Sequence, residues 1–363
     1  MLEIDEELSR FEVEDSRPHA TGLAVQHGLS PAASTHSSRS PSGYTNPDPN
    51  TIEEDGRGWN GYRPEKYWLP NDGAEQGRLD LQHELWLLLM KKRLSWAPTD
   101  AEPARVLDIG TGTGIWACDY ADAHPTTEVV GTDLSLIQPN YSPPNCRFVR
   151  EDAEEEWVHG QPFDYIHARM MTICFKDPVA MIRKIFDNLQ PGGWAEYQTE
   201  AHSSLLVCPS QEIGADQVAA DAESEEFLQS DPFSLREYMR RVIQGAANLG
   251  RDINVAPKLK DWFHAAGFVD ITVHQILGPL NAWSRDPVDH QIGLFITQNV
   301  IEVIQSASKF YKAYGMTDNE ISQFVEGCCR HVRSTKCRSY IPWYVVYGRK
   351  PREGEASDDL KSA

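Results

Sequence analysis

Basic charge is scarce in this chain: 34 Lys and Arg stand against 54 Asp and Glu, a formal net charge of -20. Such a surface repels a phosphate backbone instead of shedding its counterions, so direct nucleic-acid binding is not expected. Long apolar runs are missing as well. The longest strongly apolar run, Leu85–Met90, sits inside the amphipathic stretch LQHELWLLLMKKRL and falls well short of a membrane span. Cysteines number 7, an odd count, and only Cys328 and Cys329 are neighbours. The N-terminus, MLEIDEELSRFEVED, lacks the basic flank and apolar core of a secretion signal. Free thiols in a reduced, cytoplasmic setting are therefore expected rather than a disulfide framework. Cys328, Cys329, His331 and Cys337 lack the C-x-x-C pairs of zinc sites, and no metal is expected.

With 40% apolar residues, the chain has enough to bury a sizeable core. Residues 1–56 are acidic, and their central tract HSSRSPSGYTNPDPN is too poor in apolar residues to offset ordering entropy, so they read as a disordered tail. A folded domain is expected over 57–350, with a frayed polar end at 351–363. Apolar residues recur at helical spacing from Glu75 to Leu94, with Pro98 closing that helix. Short apolar strands then alternate with helical stretches: Arg105–Ile109, Glu128–Thr132, Cys146–Val149, Phe163–His167, Trp194–Gln198, Val269–Ile276 and Trp343–Tyr347. Helices at Ile115–His124 and Pro178–Leu189 separate some of them. This is the pattern of an α/β, Rossmann-like parallel sheet with helices on both faces. Two helical insertions, about 200–250 and 284–338, exceed that alternation and are expected to cover the substrate.

The most informative segment is VLDIGTGTG, Val106–Gly114: a buried strand, then Gly110, Gly112 and Gly114, then a helix. Glycines there let the backbone turn tightly and approach a ligand without a Cβ between them, beside the free N–H groups of a helix start. Dinucleotide enzymes place a third glycine three residues after the second, where this chain has Ile115. Asp108 puts a carboxylate where a pyrophosphate would come, which suits a ligand bearing an ammonium group: S-adenosylmethionine over NAD. Asp133, 19 residues beyond Gly114 and at the end of the next strand, is placed to accept both ribose hydroxyls; its rival reading is a surface turn. Asp152 and Ala153 follow the third strand, where a carboxylate accepts from an adenine amine and a backbone N–H meets a ring nitrogen. The rival there is a solvated acidic face, since Glu151, Glu154, Glu155 and Glu156 surround it.

These residues resemble class I S-adenosylmethionine-dependent methyltransferases, and more narrowly the LaeA-like methyltransferases of filamentous fungi. The general part of the resemblance is VLDIGTGTG, VVGTDLS, EDAEEEW and LQPGGWAEYQ; the narrower part is YRPEKYWLPNDGAEQGRLDLQH, LIQPNYSPPNCRF and FDYIHAR. It implies a seven-stranded sheet, mostly parallel, with the last strand antiparallel. It also implies that Asp108, Gly110, Gly112 and Gly114 line the methionine side of the cofactor, Asp133 the ribose, and Asp152 with Ala153 the adenine, with Thr111 and Leu134 also among the cofactor-binding residues.

Methyl transfer from a sulfonium is an in-line displacement, served mainly by alignment in a water-poor site. Where the acceptor must lose a proton, His167 and His202 are the candidate bases, each with a packing role as its alternative. Arg169 suits the methionine carboxylate or an acidic substrate, against a surface salt bridge. Tyr62, Tyr67 and Trp68 are candidates for a lid over the sulfonium, against core packing. Trp283, Phe295, Phe310, Tyr311 and Tyr314 either wall an acceptor pocket or pack helix on helix. The basic stretch Arg330, Arg333, Lys336 and Arg338 reads as a source of intramolecular salt bridges or as a surface for an acidic partner, rather than for nucleic acid.

The resulting expectation is an enzyme that methylates an O or N atom of a small molecule, in fungal secondary metabolite biosynthesis. One alternative is a LaeA-like regulator acting in the nucleus with protein partners; another is a non-catalytic scaffold that binds the cofactor. The oligomeric state is not legible in the residues.

Overall fold

The computed structural model describes residues 48–99, 103–201, 206–207, 230–336 and 338–355. Most of the expected tail, His202, Cys337 and much of the first insertion lie outside the described residues. The first element is a hairpin, β1 (Thr51–Glu54) and β2 (Arg57–Asn60), whose first strand and turn lie in the end of the stretch read as tail and whose second strand opens the expected domain. Its turn, Asp55-Gly56, has φ of 54° and 72°, the left-handed pair that two-residue hairpins favour. Tertiary bonds hold this segment against its polar composition. The buried Asp48 carboxylate accepts from Asn50 N and Leu136 N and meets Arg150, while Asn60 Nδ2 donates to Ser135 Oγ at 2.6 Å.

Helix α1 (Gly73–Leu89) starts at Asp72, whose carboxylate accepts from Glu75 N at 3.0 Å. It ends earlier than the apolar spacing predicts. Lys91 and Lys92 take positive φ, 55° and 61°, which breaks the helix before Pro98. The freed segment is pinned to the sheet instead: Leu94 O accepts from Trp116 Nε1 and Gln198 Nε2, and the buried Glu196 carboxylate accepts from the backbone N–H groups of Trp96 and Ala97.

All seven expected strands are present: β3 (Arg105–Ile109), β4 (Glu128–Asp133), β5 (Cys146–Arg150), β6 (Phe163–Arg169), β7 (Leu189–Glu200), β9 (Val269–Pro279) and β10 (Ser339–Arg349). The two-residue β8 (Leu206–Val207) pairs with the start of β10. The order is β5-β4-β3-β6-β7-β10, with β9 on the outer side of β10. Pairs from β5 to β7 are parallel, and β10 runs antiparallel to both β7 and β9. Consecutive strand residues serve opposite faces. Val106, Val129 and Tyr165 pack with Trp116 and Tyr120 of α2 (Ile115–Ala123); Leu107, Val130 and Ile166 pack with α3 (Pro178–Asp187) and α5 (Leu259–Ala266).

The insertions supply α4 (Leu235–Asn248), α6 (Pro287–Ser306), α7 (Ser308–Tyr314) and α8 (Asp318–Val332). With α1 they enclose a third apolar cluster. Order reverses between β4-β3 and β3-β6, and the crevice beyond the carboxyl ends of those strands is where an open α/β sheet receives ligands.

Candidate functional site

A single cavity at that crevice is lined by residues from both the strand ends and the helical cover. Its sheet side starts from backbone geometry. Gly110, Gly112 and Gly114 all have positive φ, 66°, 58° and 79°, which bends the chain from β3 into α2. A Cβ on Gly110 would stand 2.1 Å from Met171 Sδ, and one on Gly114 2.5 Å from the Phe148 ring. Gly112 is different: its Cβ would meet only Leu79 Cδ1, at 3.4 Å. Gly110 and Gly112 line the cavity together with Thr111, whereas Gly114 shapes the turn behind them.

Parallel pairing then brings the acids together. Asp108 faces His167 in register, and Asp108 Oδ1 lies 2.8 Å from His167 Nδ1. Its Oδ2 accepts from Thr111 Oγ1 at 2.6 Å. Asp133, at the end of β4, accepts from Gly112 N at 2.9 Å and Ser135 N at 2.8 Å. Burial pushes its carboxyl up to about 6, although those N–H groups oppose the shift. Asp152 accepts from Glu154 N at 3.0 Å and faces Lys66 Nζ at 3.2 Å, which also reaches Glu154 at 2.7 Å. Lys66 and Arg63, paired with Glu155, tie the segment after β2 across Asp152, Glu154 and Glu155. Asp108, Asp133, Leu134, Asp152 and Ala153 all line the cavity.

The histidine read as a candidate base is wholly buried. The ring of His167 stacks on Trp116 with centroids 3.8 Å apart, while Asp108 occupies Nδ1. Arg169, at the end of the same strand, lines the cavity and reaches His83 Nδ1 at 3.1 Å. Its expected alternative, a surface salt bridge, does not form among the described residues. Burial lowers its pKa to about 10, against the pull of Asp108 and Asp119.

The other side of the cavity is apolar: Leu69, Ile173, Val242, Val303, Ala307 and Phe310. Tyr67, Gln82, Glu200 and Tyr238 add polar atoms, and burial holds the Tyr67 hydroxyl well above its ordinary range. Arg78 enters this side already neutralised, with Glu75 at 2.8 Å and Asn299 Oδ1 at 2.9 Å, so it fastens α1 to α6. Of the three lid candidates only Tyr67 lines the cavity. Trp68 packs edge-on to Phe310 beneath Arg251, and Tyr62 lies outside under Arg150. Of the five aromatics in the second insertion, Phe310 alone lines it. Tyr311 is core, donating to Ile304 O at 2.8 Å, and Trp283 Nε1 donates to Ser339 O. Sequence reasoning missed Tyr238, Val242, Val303 and Ala307, which carry no local signal beyond helical apolar spacing.

Away from the cavity, Cys328 and Cys329 are buried free thiols and His331 Nδ1 sits 2.9 Å from Asp231. Among the described residues no helix is long and apolar enough to cross a membrane.

Residues 81–273 match a family described as Methyltransferase domain. Methyltransferase pytC of Aspergillus terreus is 36% identical over 299 residues, covering 82% of this chain and 87% of that protein. Protein-methionine methyltransferase laeA of Emericella nidulans is 32% identical over 346 residues, covering 92% and 86%. Secondary metabolism regulator LAE1 of Cochliobolus heterostrophus is 29% identical over 309 residues, covering 83% and 95%.

Proposed function

The chain belongs to the Methyltransferase domain family, and from that premise we propose that it moves a methyl group from S-adenosylmethionine to an oxygen or nitrogen of a small molecule of fungal secondary metabolism. The observation that carries this reading is the joining, in one cavity, of a polar side at the strand ends with an apolar side built by the cover.

The polar side fits the donor. Gly112, left-handed and with only the tip of Leu79 at 3.4 Å near where its Cβ would stand, leaves the backbone open to close approach by a ligand. When bound, S-adenosylmethionine supplies an electrophilic methyl group on a sulfonium. Asp133, its carboxylate oriented by the Gly112 and Ser135 N–H groups, accepts the ribose hydroxyls. Asp152 and the Ala153 N–H serve the adenine edge, Leu134 packs beside the ribose, and Asp108 receives the ammonium group with Thr111 steadying its carboxylate. His167 is a positioning residue: clamped between Asp108 and Trp116, it orients that carboxylate. His202 stays the candidate base for an acceptor that must lose a proton. For the rest, alignment and the exclusion of water by the cover carry the rate.

A second reading has the chain acting on or with proteins as a regulator, and it is favoured by the printed names of the Emericella nidulans and Cochliobolus heterostrophus relatives. Incubation with methyl-labelled S-adenosylmethionine and fractionated fungal extract separates the two. Label in a low-molecular-mass product supports the small-molecule reading. Label confined to protein, with none in small molecules, would overturn it.

A further inference from the structure

The residues that match the methyltransferase family begin at 81, yet part of the donor side is fastened by side chains that precede them. Asn60, the last residue of β2, and Asn71, just before α1, are both buried. Asn60 Oδ1 accepts from the backbone N–H groups of Tyr62 and Arg63, at 2.9 and 3.0 Å, which caps the turn after the hairpin. With the oxygen so occupied, the amide nitrogen faces the other way and donates to Ser135 Oγ at 2.6 Å, 75 residues along the chain. Asn71 Nδ2 donates to the same hydroxyl oxygen at 3.3 Å. Capping a turn needs only the oxygen, so two amide nitrogens converging on one distant hydroxyl call for a second role.

Ser135 supplies that role. Its backbone N–H donates at 2.8 Å to Asp133 Oδ1, and the other carboxylate oxygen is fixed by Gly112 N at 2.9 Å. The direction of the carboxylate therefore depends on where the Ser135 backbone sits. Gln138 Nε2 ties that turn to the glycine loop, donating to Ser135 O at 2.9 Å and to Gly112 O at 2.7 Å. The asparagines grip the same residue from the N-terminal segment, through its hydroxyl. Amides removed from water cost free energy unless their bonds are made, and the Asn60 amide makes its bonds only with Ser135 in place.

We propose that Asn60 and Asn71 are positioning residues for the ribose end of the methyl donor: they hold the Ser135 hydroxyl, and the Ser135 N–H in turn aims the Asp133 carboxylate. The segment before α1 is thereby part of the donor site, although it lies outside the residues that match the family. This rests on the S-adenosylmethionine reading above. Neither asparagine has to touch the ligand for the effect, which passes through one hydroxyl and one N–H.

The test compares binding of S-adenosylhomocysteine with that of its 2′,3′-dideoxy analogue, which lacks only the two ribose hydroxyls, to the full chain by calorimetry. Wild type is expected to favour the intact compound by about 10- to 100-fold, the span of hydrogen bonds to a charged group. Ser135→Ala removes the hydroxyl but keeps every backbone N–H of the turn, and it is expected to cut that ratio by about 2- to 10-fold, the range of one neutral hydrogen bond. Asn60→Ala is expected to cut it less, since Asn71 still holds the hydroxyl, and to cut it no further when added to Ser135→Ala. Affinity for the dideoxy analogue is expected to stay nearly constant across these variants, which a general loosening of the fold would not allow. If Asn60→Ala does not fold, Ser135→Ala and Asn71→Ala carry the same comparison. A wild-type ratio that survives Ser135→Ala in folded protein, or effects of Asn60→Ala and Ser135→Ala that simply add, would overturn the proposal and leave the donor reading intact. A wild-type ratio near one would overturn it together with the ribose assignment of Asp133. A wild-type chain that binds neither compound would take the S-adenosylmethionine reading down as well.

Discussion

The two sides of the cavity are built by different means. On the sheet side a few consecutive residues, bent by left-handed glycines and fixed by parallel register, bring Asp108, Gly112 and Asp133 together through bonds of 2.6 to 2.9 Å. On the cover side Leu69, Val242, Val303 and Phe310 come from the segment before α1, α4, α6 and α7, and they meet the space through apolar side chains, while hydrogen bonds such as Arg78 to Asn299 fasten the helices behind them. Backbone geometry tolerates almost no change, whereas apolar surfaces can be repacked at constant volume. One fold can therefore keep its methyl donor while its acceptor changes.

The sharpest way to break that comparison is at Gly110. Gly110→Ala must take φ of 66° and displace the buried Met171, and a loss of about 2 to 4 kcal/mol in denaturant unfolding is expected. Gly112→Ala pays only the left-handed strain, about 1 to 2 kcal/mol. If both variants unfold alike, crowding around Gly110 is not what constrains the loop.

Asp133→Ala comes next. S-adenosylhomocysteine binding should weaken by about 1 to 3 kcal/mol as two charged hydrogen bonds go. Phe310→Leu on the cover side should leave that affinity unchanged, and calorimetry on the pair measures the contrast directly.

The third prediction concerns pH. The Asp133 carboxyl titrates at about 6 when folded and near its ordinary 3.8 when unfolded. The folded state therefore binds the proton more tightly. This group stabilises the fold most at low pH, and that contribution is lost as pH rises from 3.8 through about 6. Ligand binding runs the other way, because ribose hydroxyls need the ionised acceptor. Affinity for S-adenosylhomocysteine is expected to fall as pH drops through about 6 in wild type and to stay flat over that range in Asp133→Asn.

The smallest effect belongs to the cover. Val303→Ala should change the acceptor KM by severalfold, about 1 kcal/mol for the methyl groups removed, with donor affinity untouched. A change in donor affinity there would show that the two sides are coupled.

The same contrast explains what could be read from the residues. VLDIGTGTG is contiguous, and Asp133 and Asp152 close the next two strands, so strand-end logic finds all of them. The sheet itself was legible because each strand is a short apolar run between turn residues. The bond from Arg78 to Asn299 and the Arg169–His83–Asp119 chain were not legible, since they join residues far apart in the chain that no local pattern relates. Helix α1 stops at Leu89 because of left-handed Lys91 and Lys92, at which neither glycine nor proline gives warning. The hairpin did carry a signal. Asp55-Gly56 between TIEE and RGWN is a two-residue turn, outweighed by the acidic, Ser- and Pro-rich composition before it.

The most direct test of the account is calorimetric titration of the full chain with S-adenosylhomocysteine and with NAD, in wild type and Asp133→Asn. The account predicts binding of S-adenosylhomocysteine and not NAD, with the affinity lowered by the substitution. Binding of NAD in place of S-adenosylhomocysteine, or an affinity indifferent to Asp133, would contradict it.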